Sequence, residues 1–490
     1  MFVRQYHIAQ NTVWLTVALV FQKILAFFFF LIIARKLGSV GTGQYVAAFS
    51  FSSLFGVFID LGFSPVITRE IARLPERSSI FLQVSIIIKL LLSSLIYPIL
   101  LGVILLLQYL GAGHPPLELV AITGLIMIVD SLSLTLTSLL RGWHNLFYEA
   151  VAVVINKISI LIIGVVALIV WANPLAVIVA VLLGSLITLA ILISVIFSKI
   201  SPFEYFSIQG QVLKELVSKA WPFAIATIFS TIYAHLDSIL LSIINGSQAV
   251  GLYSVAAKTM NAFGFIPTAF SAALFPSLST DFGRGGTRLE FLVDQALRYL
   301  LIISAPLSVG LCLFADFFVS LIGPDYKMAA TAVRILMPSL AFMFMAYPFG
   351  ALLNATNNQY WQTTIIVIGT IFNAGINLLL IPTFSYVGAS SAWLFTNVSV
   401  LAIEYLVVKK LFDFKFRFFR KSLISVGIAM VGMVLTIYLM PRAQFPILTI
   451  SLAGTIYLLI LYLTREISKA DAATLIGIFR KRDNTTISDA

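Results

Sequence analysis

The sequence predicts an all-α, polytopic membrane protein of about fourteen transmembrane helices, arranged as two pseudo-symmetric six-helix bundles with two further helices after them. Three observations predict it. The chain of 490 residues is 60% hydrophobic and only 10% charged, against roughly 45–50% apolar and about 25% charged in a soluble domain. Apolar runs of roughly 20 residues recur from Asn11 to Thr464, each long enough to cross a hydrocarbon layer about 30 Å thick. Finally, a short segment of the first half is echoed in the second.

In chain order the runs fall at 11–34, 44–68, 80–109, 117–140, 146–171, 174–198, 220–244, 250–279, 289–318, 330–353, 361–382, 386–410, 420–440 and 446–464. Helices rather than barrel strands follow from run length, because barrel strands alternate in polarity over about ten residues and these runs do not. The first run, Val13 to Ala34, is too long for a signal-peptide core and has no small-residue cleavage site after it, so it is read as a retained span. Prolines at Pro98, Pro222, Pro267, Pro276, Pro338 and Pro348 remove backbone hydrogen bonds and predict bends, static or hinged. The Phe27 to Phe30 run suits a lipid-facing or core surface.

Orientation follows from the positive charges. Most of the 31 Lys and Arg residues fall in alternate connections that share a side with the N-terminal arm, which puts that side in the cytoplasm. The main contributors are Arg69/Arg73/Arg77, the Lys199 to Lys219 segment, Arg284/Arg288/Arg298, the Lys409 to Lys421 cluster, and the tail with Arg480, Lys481 and Arg482. Arg35, Lys36, Lys327 and Arg334 run against the pattern. An even number of spans returns the C-terminus to the same side.

The repeat sets Gly38-Ser39-Val40-Gly41-Thr42-Gly43-Gln44-Tyr45-Val46 beside Gly246-Ser247-Gln248-Ala249-Val250-Gly251-Leu252-Tyr253-Ser254; each passage joins a first span to a second. A weaker echo pairs Leu139-Leu140 through Asn145 with Leu352-Leu353 through Asn358. Both are offset by about 210 residues, which suits two six-helix units. An even number of spans per unit gives both units one topology, related by an axis along the membrane normal, with a cavity between them. The expected organisation is a bundle over 1–198, a cytoplasmic linker over 199–219 carrying an amphipathic helix, a second bundle over 220–410, and two extra spans with a tail over 411–490.

The single cysteine, Cys312, excludes an intrachain disulfide, and His7, His114, His144 and His235 have no metal-ligand spacing. No cofactor is expected. The net charge of +11 is distributed over span ends rather than gathered in a basic domain, so a membrane surface, not nucleic acid, is the expected partner.

The informative residues are charges inside spans. Lys23, Lys89, Lys157 and Lys258 each cost roughly 2.5–3.5 kcal/mol if left facing lipid. They must face water, an anion or an acid. Asp60, Asp130, Asp237 and Glu404 are the acids within spans. Polar stripes recur at helical spacing: Ser53, Gly56, Asp60 and Ser64; Thr123, Asp130, Ser133 and Thr137; Ser390, Asn397 and Glu404; Ser230 with Asp237; Thr370 with Asn373 and Asn377. Helix packing alone is the simpler account of such Ser, Thr and Asn residues. For the lysines the alternatives are a structural ion pair or snorkelling, the latter difficult at the depth of Lys23 and Lys157.

No constellation of nucleophile, base and oxyanion donors supports an enzyme. A channel would need a filter-like ring, and a scaffold would not need buried lysines; a carrier fits best. A cavity biased positive favours an anionic substrate, whereas an exporter of organic cations would favour acids and aromatics.

On these residues a resemblance emerges. The two-by-six architecture with two extra spans, the passage Arg35-Lys36-Leu37-Gly38 then Gly43-Gln44-Tyr45, and Asp237 followed by Gly251-Leu252-Tyr253 and Lys258 resemble the polysaccharide transporter (O-antigen flippase-like) family of the multidrug/oligosaccharidyl-lipid/polysaccharide flippase superfamily. The resemblance spans nearly the whole chain, through loose motifs shared with lipid II flippases and drug antiporters. It implies a monomeric flippase in a prokaryotic cytoplasmic membrane that turns undecaprenyl-pyrophosphate-linked oligosaccharide from the inner to the outer leaflet for surface polysaccharide assembly. Lys23, Lys89, Lys157 and Lys258 are the expected substrate-binding residues. Asp60, Asp130 and Asp237 are the expected sites for H+ or Na+ coupling, with membrane lipids as further partners.

Overall fold

The computed structural model describes residues 2–198, 210–282, 286–440 and 444–467. The expected contributions of Lys199, Arg284 and the Arg480 to Arg482 tail, and the 199–209 part of the linker, lie outside the described residues.

Among the described residues the regular structure is helical: α1 Phe2–Asp60, α2 Phe63–Arg73, α3 Ser78–Tyr109, α4 Leu117–Gly142, α5 Leu146–Val170, α6 Pro174–Phe197, α7 Gly210–Phe263, α8 Phe265–Asp281, α9 Gly286–Leu313, α10 Ala315–Ser320, α11 Ala329–Leu336, α12 Ser339–Ala355, α13 Gln359–Phe412, α14 Arg417–Leu439 and α15 Pro446–Leu463. Single 3-10 turns at Pro75–Arg77 and Pro324–Tyr326 interrupt them. Eleven stretches are long and apolar enough to cross a membrane.

Three helices far exceed the roughly 20 residues that a crossing requires: α1 runs for 59 residues, α7 for 54 and α13 for 54. Each contains one residue off the helical backbone. Gly38 (φ 67, ψ −176) and Gly246 (φ 79, ψ −179) take nearly the same conformation, in a region that a side chain all but forbids. These are equivalent positions of the sequence repeat, so the echo is one of backbone geometry as well as of letters. Ser385 (φ 52, ψ −133) breaks α13. All three lie in the gaps between expected spans.

Four expected spans are divided in the structure, the eighth at Gly264 between α7 and α8 and the ninth at Phe314 between α9 and α10. The second was read to residue 68, but α1 stops at Asp60 because Leu61 and Gly62 take positive φ. The chain then starts α2, an amphipathic helix that buries Val66, Ile67, Glu70 and Ile71 and leaves Arg69 and Arg73 toward solvent. The tenth was read as one helix with an internal Pro338, whereas Pro338 directly precedes α12 and separates it from α11. The described part of the expected linker, from Gly210, is no separate interfacial helix. It is the first turns of α7, with Val212, Leu216 and Ala220 buried against Ile67, Phe81 and Leu139 of the earlier helices.

Apolar packing falls into groups. Two clusters are built mainly from α1 to α6, and one from α8 to α15, including α14 and α15 through Met433, Ile437 and Tyr457. A fourth joins Phe30, Ala34, Val46 and Ala47 of α1 to α7, α9, α11 and α13. The seam between the halves is therefore the pairing of the two broken helices that carry the repeat.

Candidate functional site

Beneath the breaks in α1 and α7 lies a cavity of about 560 Å³. The limb of α1 before Gly38 gives it Lys23 and Phe30, the limb after it Tyr45 and Ser50, α4 Asp130, α5 Asn156 and Lys157, α7 His235, Tyr253 and Lys258, and α13 Trp393. Lys23 lies fifteen positions before Gly38, so at 1.5 Å per residue the cavity reaches about 22 Å along the helices from the break. That is most of a hydrocarbon core about 30 Å thick.

Lys23, Lys157 and Lys258 thus converge on one space, and among the described residues none of them forms a salt bridge. Lys258, five positions before the end of α7, is exposed within an apolar stretch because its exposure is onto the cavity. Asp130 also lines the space, near enough to Lys157 for electrostatic attraction and beside Ser185. His235 Nδ1 lies 3.4 Å from Ser50 Oγ across the seam. Asn156 donates to Thr188 Oγ1 at 3.0 Å, and Tyr233 packs on Trp393 with ring centroids 4.7 Å apart. The balance of fixed charge on the cavity is positive.

The other candidates are elsewhere. Lys89 is wholly buried and donates to Asp60 Oδ1 at 2.6 Å and to the Ser131 carbonyl at 2.9 Å, while Ser64 donates to the same Asp60 oxygen at 2.6 Å. Neither Lys89 nor Asp60 lines the cavity. Where they were expected to bind substrate and a coupling ion, the structure places the two in a buried ion pair that joins α1, α3 and α4 away from the cavity lining. Asp237 stands just behind the cavity wall, 3% exposed. It accepts from Tyr253 at 2.7 Å and from Asn377 at 2.5 Å, and Asn377 in turn donates to Asn373 at 2.9 Å. Among the described residues no group of three His, Cys, Asp or Glu is disposed to hold a metal ion.

One end of the cavity is sealed by backbone. A Cβ on Gly43 would overlap the Ser247 carbonyl oxygen and lie 2.6 Å from its carbon; a Cβ on Gly251 would overlap the Ser39 carbonyl oxygen and lie 2.7 Å from its carbon. The two contacts are reciprocal across the repeat. Tyr326 fastens the same end by donating to the Gly38 carbonyl at 2.8 Å, with its oxygen 2.8 Å from Thr42 Oγ1. Burial pushes the Tyr326 phenol up to about 12, so it keeps its proton.

At the opposite end, polar side chains tie α2 to the start of α7. Lys219 reaches Glu70 at 2.9 Å and Glu215 at 2.7 Å, and Arg77 reaches Glu215 at 3.5 Å. Burial works to raise the Glu70 carboxyl, but the hydrogen-bonded Lys219 and Arg69 outweigh it and hold Glu70 below the ordinary carboxylate value.

Comparison with known proteins agrees with this architecture. The family model described as polysaccharide biosynthesis protein matches residues 8–281, more than half of the chain. The chain belongs to that family. A second model, MatE, matches residues 222–379, and together they make the protein a flippase-type member of the multidrug/oligosaccharidyl-lipid/polysaccharide superfamily. An uncharacterized membrane protein of Methanocaldococcus jannaschii is 24% identical over 86% of this chain and 88% of its own. The "Probable low-salt glycan biosynthesis flippase" of Haloferax volcanii is 22% identical over 81% of this chain and 83% of its own. The solved lipid II flippase in an inward-closed conformation shares the fold, with a TM-score of 0.75 and 17% identity, over 93% of this chain and 99% of that one. This family member is a multi-pass membrane transporter, not an enzyme.

Sequence reasoning brought four of its seven site candidates to the cavity and missed His235, Asn156, Tyr253 and Trp393 as lining residues. Adjacency could have found Asn156, next to Lys157, and Tyr253 stands inside the repeat. Nothing in one sequence singles out Trp393 from the other aromatics.

Proposed function

We propose that the protein carries a polyprenyl-pyrophosphate-linked oligosaccharide, of the undecaprenyl type, from the inner to the outer leaflet of the cytoplasmic membrane for surface polysaccharide assembly. The observation that carries this reading is the convergence of Lys23, Lys157 and Lys258 on one cavity without salt-bridge partners among the described residues. Three cations there demand an anion, and a pyrophosphate with acidic sugars supplies one while its polyprenyl tail stays in lipid. Aromatic faces such as Trp393 and Tyr45 suit sugar rings. The named flippase of Haloferax volcanii supports the glycan class.

The chain crosses the membrane fourteen times, counting each broken helix as two spans, with both termini cytoplasmic, and it works as a monomer. Residues 1–198 and 220–410 form two lobes that rock about the cavity, with 411–490 appended. In this frame the Gly43–Gly251 seam is the outer gate, closed here, and the Lys219–Glu70 end is cytoplasmic. Asp130 and Asp237 are the acids that exchange H+ or Na+ in step with reorientation; the Asp60–Lys89 pair is better suited to holding its lobe together. The MatE match over residues 222–379 favours, as a second reading, exchange of organic cations for protons or sodium.

The test is leaflet transfer of a fluorescent polyprenyl-pyrophosphate oligosaccharide in proteoliposomes. Each lysine in charge-assisted contact contributes about 1.5–3 kcal/mol, so Lys157→Ala and Lys258→Ala weaken half-saturation about ten- to hundred-fold. No transfer by the intact protein, alongside efflux of a soluble organic cation, would overturn the proposal in favour of the second reading.

A further inference from the structure

Behind the cavity, in the second half of the chain, a buried polar track follows α13. Asn377, Asn373 and Thr370 lie on the limb before Ser385, and Thr396 and Asn397 on the limb after it, all buried. Asn373 donates to Thr396 at 3.2 Å, so the two limbs are joined. The track ends at Glu404, eight positions before the helix terminus at Phe412, about 12 Å along the axis.

Glu404 is 2% exposed. Among the described residues its one hydrogen bond is the one its Oε1 accepts from Gln362 Nε2 at 3.3 Å. Neither its Oε2 nor Gln362 Oε1 has a partner among them. No salt bridge reaches it among the described residues. The titratable group facing it from α7 is Tyr233, with Asp237 further along the track. On α12 the nearby surface is Gly350, against which Gln362 packs, and Phe349, which packs on Tyr405 beside Glu404. Lys409 and Lys410, further along its own helix, are exposed.

A carboxylate so placed has two faults: a negative charge without a cation, and an acceptor without a donor beside a second idle acceptor. Each is costly in a low-dielectric interior. One proton removes both. A carboxylic acid beside a primary amide can donate its O–H to the amide oxygen while the amide N–H donates to the acid carbonyl. Those four atoms are the two already bonded, Gln362 Nε2 and Glu404 Oε1, and the two left over, Glu404 Oε2 and Gln362 Oε1.

We propose that Glu404 is a proton-binding site, occupied in this conformation, in which the acid–amide pair with Gln362 holds α12 and both limbs of α13 together. Water that enters between α12 and α13 takes the proton as hydronium and leaves Glu404 as the carboxylate; the reverse step restores the pair. The site is separate from the substrate cavity and from the acids assigned to coupling above, and its occupancy does not depend on which substrate is carried.

Infrared difference spectra of the full-length protein in lipid nanodiscs, recorded as pH is raised, test it. The intact protein is expected to show a carboxylic-acid carbonyl band that shifts in D2O and is lost at high pH, and Glu404→Gln to lack that band. Gln362→Leu is expected to retain the band at higher wavenumber, because the carbonyl has lost its hydrogen bond. Identical spectra for the intact protein and Glu404→Gln at every pH, or a band that responds to sodium and not to pH, would overturn the proposal. Failure of the glycolipid transfer assay with the Glu404 band intact would instead refute the proposed substrate alone. Glu404→Gln keeps an amide–amide pair available, so it is expected to fold.

Discussion

Gly43→Ala is the sharpest perturbation the fold offers. The added carbon would sit on the Ser247 carbonyl oxygen and 2.6 Å from the carbonyl carbon, where carbon atoms rest at about 3.5–4.0 Å. The backbones of α1 and α7 must therefore part by about 1 Å or more, and neither partner is a side chain able to swing away. Overpacking of this kind costs about 1–3 kcal/mol. Near 2 kcal/mol it shifts the balance between the sealed and the unsealed state by about thirty-fold. Nitroxide labels at Val40 and Met328, which are 50% and 60% exposed on the two sides of the seam, in a Cys312→Ser background, read the outcome as a distance distribution. The distribution is expected to move to longer separations in Gly43→Ala, and glycolipid transfer to fall. Gly251→Ala should do the same, and the double variant should add little, because both act on one seam. Gly102→Ala, where a Cβ meets nothing within 4 Å, is the control. An unchanged distribution and unchanged transfer in Gly43→Ala would refute the idea that this contact closes in the working cycle.

Asp60→Asn strands Lys89 in the interior and is expected to cost about 3–5 kcal/mol of stability; adding Lys89→Met should recover most of it in thermal melts, with transfer preserved. Because Glu70 is held below the ordinary carboxylate value, its contribution is full above that ordinary value and is lost as pH falls through its lowered value; melting temperature against pH should show an acid limb that Glu70→Gln flattens. Asp130→Asn removes the anion near Lys157 and is expected to lower the half-saturation for glycolipid while slowing its release, measured as dissociation from the purified protein.

The apolar helices were legible because hydrocarbon thickness enforces length, and the breaks at Gly38 and Gly246 were legible because a repeated glycine motif marks backbone that side chains strongly disfavour. The burial of charge was legible too. Its destination was not: Lys89 and Lys157 look alike in sequence, yet Asp60 satisfies the first at 2.6 Å while the second opens on the cavity. That difference depends on rotation of α3 and α5 about their axes, which near-uniformly apolar helices do not encode, since their surroundings are apolar on every side. The end of α1 at Asp60 was hidden for a related reason. The run from 44 to 68 continues past Asp60 into the first half of α2, and only the conformations of Leu61 and Gly62 turn it aside.

On the proposed function, the placement of Asp130 answers the requirement that a carrier release what it binds. Three lysines around a dianionic pyrophosphate in a site partly shielded from water would hold it tightly, and tight holding slows turnover. A carboxylate beside Lys157 changes both ends of the cycle. In the empty cavity it gives one lysine a resident counter-charge, which lowers the cost of three unpaired cations inside the membrane. In the loaded cavity it competes with the substrate for that lysine and weakens the grip. The empty state is thereby made tolerable and the bound state less deep by one and the same group. On the proposed function, a cavity with the three lysines alone would be a trap, and the single acid among them would make it a passage.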